Sequence, residues 1–250
     1  MKKLLTFFCL MAIISVAGAQ SVEELMASAQ RLRNNNNEGL ALTKYNKVLE
    51  QDPDHYEALH SASFLYSRLG HRLSEKDKKS VYFRKAKDLA ARAKKANPTD
   101  AEGYFVMSVA MGRIALIAGS KERVAASADI KENAETAIRY KGDHAGAWHI
   151  LGRWNVKVAN LSFAERAAAN VLFGGLPEGA SNENAINCYQ NALKYNPGYV
   201  LYMYDLAGAY VYNKQKDKAR AMLKKVIAAP PKSVDDPAIK EEAAMMLESL

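Results

Sequence analysis

The side chains of this 250-residue chain whose types first suggest chemistry are its histidines and the one cysteine, Cys188, that lies outside the apolar N-terminal run. His55 and His60, and likewise His144 and His149, are five residues apart. That spacing is about 500° of helix, so the two rings of a pair point to different faces and do not converge on a metal. No His-Glu-x-x-His, glycine-rich phosphate loop, paired-cysteine zinc spacing or Gly-x-Ser-x-Gly is present. Cys188, in "AINCYQNAL", reads as a small buried thiol on a helix. The expectation is a protein without catalytic residues, metal ligands or a cofactor.

A second set of side chains recurs with regular spacing and suits binding. His60, Phe64 and Arg68 are followed by Phe105, Val109 and Arg113, then by His149, Arg153 and Lys157, and finally by Tyr204, Gly208 and Tyr212. Members of each triplet are four apart and so share one helix face. An aromatic or histidine near the start and a cation near the end describe a groove with an apolar floor and a basic rim. Such a groove fits a protein or peptide ligand with an acidic or anionic feature, or a phospholipid head group. The same residues also suit packing between helices, and cations favour helix C-termini.

The elements that would align these triplets are repeats. "LEQDPDHYEAL", "KKANPTDAEGYF", "IRYKGDHAGAW" and "LKYNPGYVLYM" share a polar helix end, then Pro53, Pro98, Gly142 or Pro197, then a new helix. Pro231 follows Pro197 by 34 residues, the tetratricopeptide period. In that register Ala29, Ser63, Ser108, Gly152 and Ala207 occupy one slot, all small, where two helices approach closely. Units fall at about 22–55, 56–100, 101–144, 145–199 and 200–233, with a capping helix over 235–250 started by Asp235 or Asp236 before Pro237. The second, third and fourth units need about eleven, ten and twenty-one extra residues between their helices. The first two insertions lengthen both helices of their units. The last holds a helix of its own, "SFAERAAANVLFGG". The fold expected is all-α: a right-handed tetratricopeptide-like superhelix, an α-solenoid of about five helix pairs, over residues 20–250.

Charge is concentrated rather than spread. The formal net charge is +8, and His71 to Ala96 alone holds ten Lys or Arg against three acids. Lys78, Lys79, Arg84, Lys85, Lys87, Arg92, Lys94 and Lys95 surround a stripe of Tyr82, Ala86, Leu89, Ala90 and Ala93 that the repeat itself buries. The cations form a solvated face or an electrostatic contact for a membrane surface. At the N-terminus Lys2-Lys3, the run "LLTFFCLMAIISV" and "AGAQ" read as a signal peptide over residues 1–19, cleaved after Ala19. Export to a periplasmic or extracellular space is expected, and with it no nucleic-acid partner.

The chain from about Asp54 to Ala244, most specifically Trp148 to Pro197, resembles the regulator of microtubule dynamics protein family. The residues that carry the likeness are Leu151, Gly152 and Trp154; Phe173, Gly174 and Pro177; and Ala185, Tyr189, Ala192 and Pro197. The resemblance implies a helical-repeat domain, microtubule association and organelle tethering, and phospholipid binding by the repeats. From the residues themselves, the function expected first is a non-catalytic scaffold for a peptide or protein segment.

Overall fold

Each joint between units works the same way. Helices α2 (Glu38–Gln51), α4 (Lys76–Ala96), α6 (Ser120–Tyr140) and α9 (Asn182–Tyr195) stop two residues before Pro53, Pro98, Gly142 and Pro197, leaving one non-helical residue as cap. The following helices α3 (Tyr56–Arg72), α5 (Ala101–Ile117) and α7 (Ala145–Ala159) begin on side-chain caps. His55 and His144 accept through Nδ1 from Ala58 N and Ala147 N, and Asp100 accepts from Glu102 N. Two of the five-apart histidines are therefore helix caps.

The computed structural model describes residues 20–250 apart from 174 and 176–178. The leader assigned to residues 1–19, with Gly174 and Pro177 of the family signature, lies outside the described residues. Among those described are twelve helices and no strand. The remaining helices are α1 (Val22–Asn34), α8 (Phe163–Phe173), α10 (Val200–Tyr212), α11 (Lys216–Ala228) and α12 (Asp236–Glu248). Successive helices pack as antiparallel neighbours in an all-α tetratricopeptide-like solenoid, with α12 against α10 and α11. No described helix is long and apolar enough to cross a membrane.

The insertions lengthen helices unequally. α3 and α5 have 17 residues and α4 and α6 have 21, where α1, α10 and α11 have 13. First helices gain about one turn and second helices about two, rather than equal shares. The fourth unit inserts α8, which starts on a reciprocal Ser162–Glu165 cap and packs against α6.

Small residues let each pair close. Ala29, Ser63, Ser108 and Ala207 are fully buried, and Ser63 Oγ donates to Ala86 O across α3 and α4 at 2.8 Å. In the fourth unit the close approach is that of Gly152 to Tyr189: a Cβ on Gly152 would lie 2.6 Å from the Tyr189 ring. Tyr189 is 2% exposed and cannot swing aside. On α4 the buried stripe begins with Phe83, 1% exposed, and not with the expected Tyr82, which is half-buried and edges onto Tyr66.

Between the fourth and fifth units an apolar cluster of Ile186, Tyr189, Leu206 and Tyr210 is joined by a polar contact. His149 Nε2 donates to Asp205 Oδ2 at 2.7 Å, and its ring stacks on Tyr202 at 4.4 Å. Burial opposes ionisation of Asp205, but Arg153 and His149 outweigh it and hold the carboxyl below its usual range. Burial outweighs the pull of Asp205 on His149 and lowers the imidazole, and burial lowers His60 as well.

Gly152→Ala is expected to destabilise the fold by about 1–3 kcal/mol, because overpacking against Tyr189 exceeds the roughly 1 kcal/mol of helix propensity that alanine brings. Gly208→Ala in α10, where an added Cβ meets nothing within 4 Å, is expected to raise the melting temperature. Thermal denaturation checks both; a Gly152→Ala protein that melts higher would remove Tyr189 as the constraint. Lowering the pH has a fixed sign too. Below about 6.5 the unfolded chain protonates histidines that the fold keeps neutral, so stability is expected to fall from about pH 7.5 to about pH 5. Urea unfolding across that range checks it, and a flat profile contradicts the burial of His60 and His149.

Candidate functional site

The first helices of the middle units face inward and enclose a cavity of about 420 Å³. Its apolar wall comes from Phe64 of α3, Phe105 and Val109 of α5, Ile130 of α6, and Trp154 and Val158 of α7, with Leu201 and Tyr202 of α10 opposite. Phe64 and Phe105 meet at 5.7 Å between ring centres. Trp154 is fixed by two hydrogen bonds from Nε1, to Ser127 O and Ser127 Oγ, both 2.9 Å. The register that places one residue of every fourth on the inner face follows from the helical period, and stacking of parallel first helices brings those faces together.

Of the expected groove residues, Phe64, Arg68, Phe105, Val109, Arg113, His149, Arg153 and Lys157 line this cavity. His60, Tyr204 and Tyr212 do not. His60 lies against Tyr56, ring centres 5.0 Å apart. Tyr204 joins the apolar cluster covered by α12, and Tyr212 is exposed. In the last unit α12 packs on α10 and takes up Tyr204, and the cavity instead meets Leu201 and Tyr202. Gly208 has open space around it and takes no part in the wall.

The cations of the cavity differ in what they have available. Arg68 and Arg72 share two carboxylates: Arg68 Nη2 lies 3.1 Å from Glu38 and 2.7 Å from Asp235, and Arg72 pairs with Glu38 at 2.6 Å and with Asp235 at 2.6 Å. Arg68, expected as a free rim cation, is thus neutralised. Arg153 is 3.9 Å from Asp205, whose carboxylate already binds His149. Arg123 on the α6 side pairs with Glu165 of α8 at 3.3 Å. Lys157 stands exposed at the edge.

Arg113 is different: it lines the cavity half-buried and forms no hydrogen bond or ion pair with another described residue. Burial, then the charge of Arg153, pushes its guanidinium down to about 10, so it remains a cation at neutral pH. Its neighbours by charge are Arg153, Asp235, Arg68 and Asp205. Two arginines from successive units therefore act on each other beside an apolar wall, where an anion is the complementary group.

Sequence reasoning missed His71, Tyr199, Tyr202 and Asp235 as lining residues, and Asp205 as the carboxylate behind His149 and Arg153. Tyr202 and Asp205 carry a local signal, being three apart on one face of α10. Asp235 carries none, since it meets Arg68 from 167 residues away.

The basic helix α4 is an outer surface. Arg84, Lys85, Lys87 and Lys95 are exposed, while Lys78 pairs with Glu75 at 2.7 Å. Lys79 is half-buried. Arg92 donates to Pro53 O, and Lys94 donates to Asn133 Oδ1 at 2.8 Å above the Tyr104 ring. Cys188 is buried, and burial pushes its thiol up to about 12. No group of three metal-ligating side chains occurs among the described residues.

Comparison with known proteins accounts for this architecture. A thermophilic TPR protein of Thermus thermophilus superposes with a TM-score of 0.65 at 18% identity, covering 90% of this chain and 100% of that one, which shows the tetratricopeptide fold. Regulator of microtubule dynamics protein 1 of Bos taurus is 29% identical over 70% of this chain and 55% of its own length. Regulator of microtubule dynamics protein 3 of Rattus norvegicus is 26% identical over 73% of this chain and 39% of its own length. The chain thus spans about half or less of the curated relatives it matches. The pattern of regulator of microtubule dynamics protein 1-3 matches residues 25–250. The chain belongs to the regulator of microtubule dynamics protein family.

Proposed function

We propose that this protein is an exported, non-catalytic scaffold that holds the anionic end of an apolar partner segment in its inner cavity. The observation that carries the reading is Arg113, a half-buried cation that forms no hydrogen bond or ion pair among the described residues, set beside Arg153 and a wall of Phe64, Phe105, Val109 and Trp154. Its nearest carboxylates, Asp205 and Asp235, are already engaged by His149, Arg68 and Arg72, so an anion in the cavity completes it. A peptide ending in a carboxylate after two or three apolar residues meets both halves of the cavity. The tetratricopeptide architecture supports a protein-interaction role, and the N-terminal Lys-Lys, apolar run and Ala-x-Ala pattern support export.

A second reading, a phospholipid as the occupant, has its own support. The cavity wall is apolar on several sides, contributed by α3, α5, α6, α7 and α10, which suits an acyl chain more than a polar backbone needing hydrogen-bond partners. The names of the relatives concern microtubules, and co-sedimentation with microtubules tests whether that role extends to this chain.

Arg113→Ala is expected to weaken the anionic occupant by about tenfold to a hundredfold, the worth of one charge-assisted hydrogen bond of roughly 1.5–3 kcal/mol. Arg113→Lys should recover part of the loss. Titration calorimetry with carboxylate-ended and amidated peptides measures it; equal affinity for the two ends, or no change in Arg113→Ala, rejects the cavity as the site. Native mass spectrometry of protein taken from its own compartment separates the readings: co-purified phospholipid favours the second and an apo protein that binds the peptide favours the first.

A further inference from the structure

The C-terminal cap does more than cover the last repeat. The turn before α12 is organised by Asp236, 2% exposed, whose carboxylate accepts from Lys232 N at 2.7 Å, Ser233 N at 2.9 Å and Ser233 Oγ at 2.6 Å. Asp236 therefore ties the preceding turn to the start of α12, and the N-cap Asp235 gives the helix no side-chain hydrogen bond. Asp235 is directed away from its own helix. It reaches α3, where Arg72 grips it with Nε at 2.6 Å and Nη2 at 2.9 Å while Arg68 adds a third contact at 2.7 Å.

This contact closes the solenoid into a ring, and its chemistry differs from every other joint in the array. The stacked helices share apolar clusters, yet no such cluster spans the two ends among the described residues. The closure consists of Asp235 on Arg68 and Arg72, with Asn36 Nδ2 donating to Lys232 O at 3.3 Å beside it. Polar contacts that are half open to solvent are individually weak and reversible. Glu38, 6% exposed, holds both arginines from below, so they stay in place when Asp235 leaves. Asp235 is also a wall residue of the cavity and acts electrostatically on Arg113.

We propose that Arg68 and Arg72 form a carboxylate-binding site that the chain fills with its own Asp235, and that an anionic ligand entering the cavity takes over these arginines and releases the C-terminal cap. The inference rests on the cavity reading above and adds to it the ligand chemistry and the consequence of binding. A fork of Arg72 with a second contact from Arg68 is matched to a planar carboxylate. Burial opposes ionisation of Asp235, but Arg72 and Arg68 outweigh it, so the occupant is an anion in the closed ring. A ligand that binds only the open ring has its affinity reduced by the fraction of molecules that are open, so weakening the latch strengthens binding.

The test uses dodecanoate as the probe, dodecanol as its uncharged counterpart, and spin labels on Asn35→Cys and Val234→Cys, exposed positions either side of the closure. Free wild-type protein is expected to give one short inter-label distance that lengthens with dodecanoate and not with dodecanol. Asp235→Asn is expected to show the long distance without probe and to bind dodecanoate at least about tenfold more tightly. Arg68→Ala with Arg72→Ala is expected to be open as well, yet to bind more weakly than Asp235→Asn, because it loses the site along with the latch. Circular dichroism confirms that each variant keeps its helices. Binding of dodecanoate with an unchanged distance, or with equal affinity in wild type and Asp235→Asn, overturns the latch and leaves the cavity reading standing. Absence of dodecanoate binding to every form overturns both.

Discussion

The close seating of one helix on the next, at a position where the first helix carries almost no side chain, is the constraint on which this structure depends. At Gly152 a tyrosine ring occupies the space that a Cβ would take, and Ala29, Ser63, Ser108 and Ala207 stand at the equivalent place in their units. A pair of helices held at that distance is thin enough to stack on the next pair, and stacking is the only way such a pair buries its apolar face. The inward alignment of α3, α5, α7 and α10 is a consequence of it, and the cavity is a consequence of that alignment.

Electrostatics then distinguishes residues that stacking alone would treat alike. Arg68 and Arg113 hold the same place in successive units and Arg153 lies one turn earlier in the next, but their surroundings separate them. Arg68 is held by Glu38 and Asp235, Arg153 shares Asp205 with His149, and Arg113 faces the cavity with no hydrogen bond or ion pair among the described residues. In an apolar enclosure that difference decides which cation is available to a ligand, because a neutralised arginine must first give up a partner. The outer cations of α4 lie in water, where screening leaves each with a small individual effect.

Much of the array was legible along the chain. The prolines and Gly142 mark the joints, the small slot marks the close approach, and the four-residue spacing marks the inner face of α3, α5 and α7. Eight of the twelve positions in the four triplets line the cavity because the helical period carries them there. The four that do not, His60, Tyr204, Gly208 and Tyr212, fail at the ends of the row, where the neighbour on one side changes. Tyr204 is turned against α12, whose packing surface is a tertiary matter, although the helix itself was foreseen from Asp235, Asp236 and Pro237.

What the sequence determined by itself was local: helix after helix, their caps, the repeat and the residues that each helix turns inward, since all of these follow from spacing within about forty residues. Only the tertiary structure decided that the groove closes. The partners in that closure, Asp235 with Arg68 and Arg72, are 167 and 163 residues apart. Whether they meet is set by the accumulated rotation of every unit between them, with lengthened helices in two and an inserted helix in a third. A small rotation per joint leaves no mark on the local pattern, yet summed over the array it places a carboxylate on one pair of arginines and leaves Arg113 with no ion pair among the described residues.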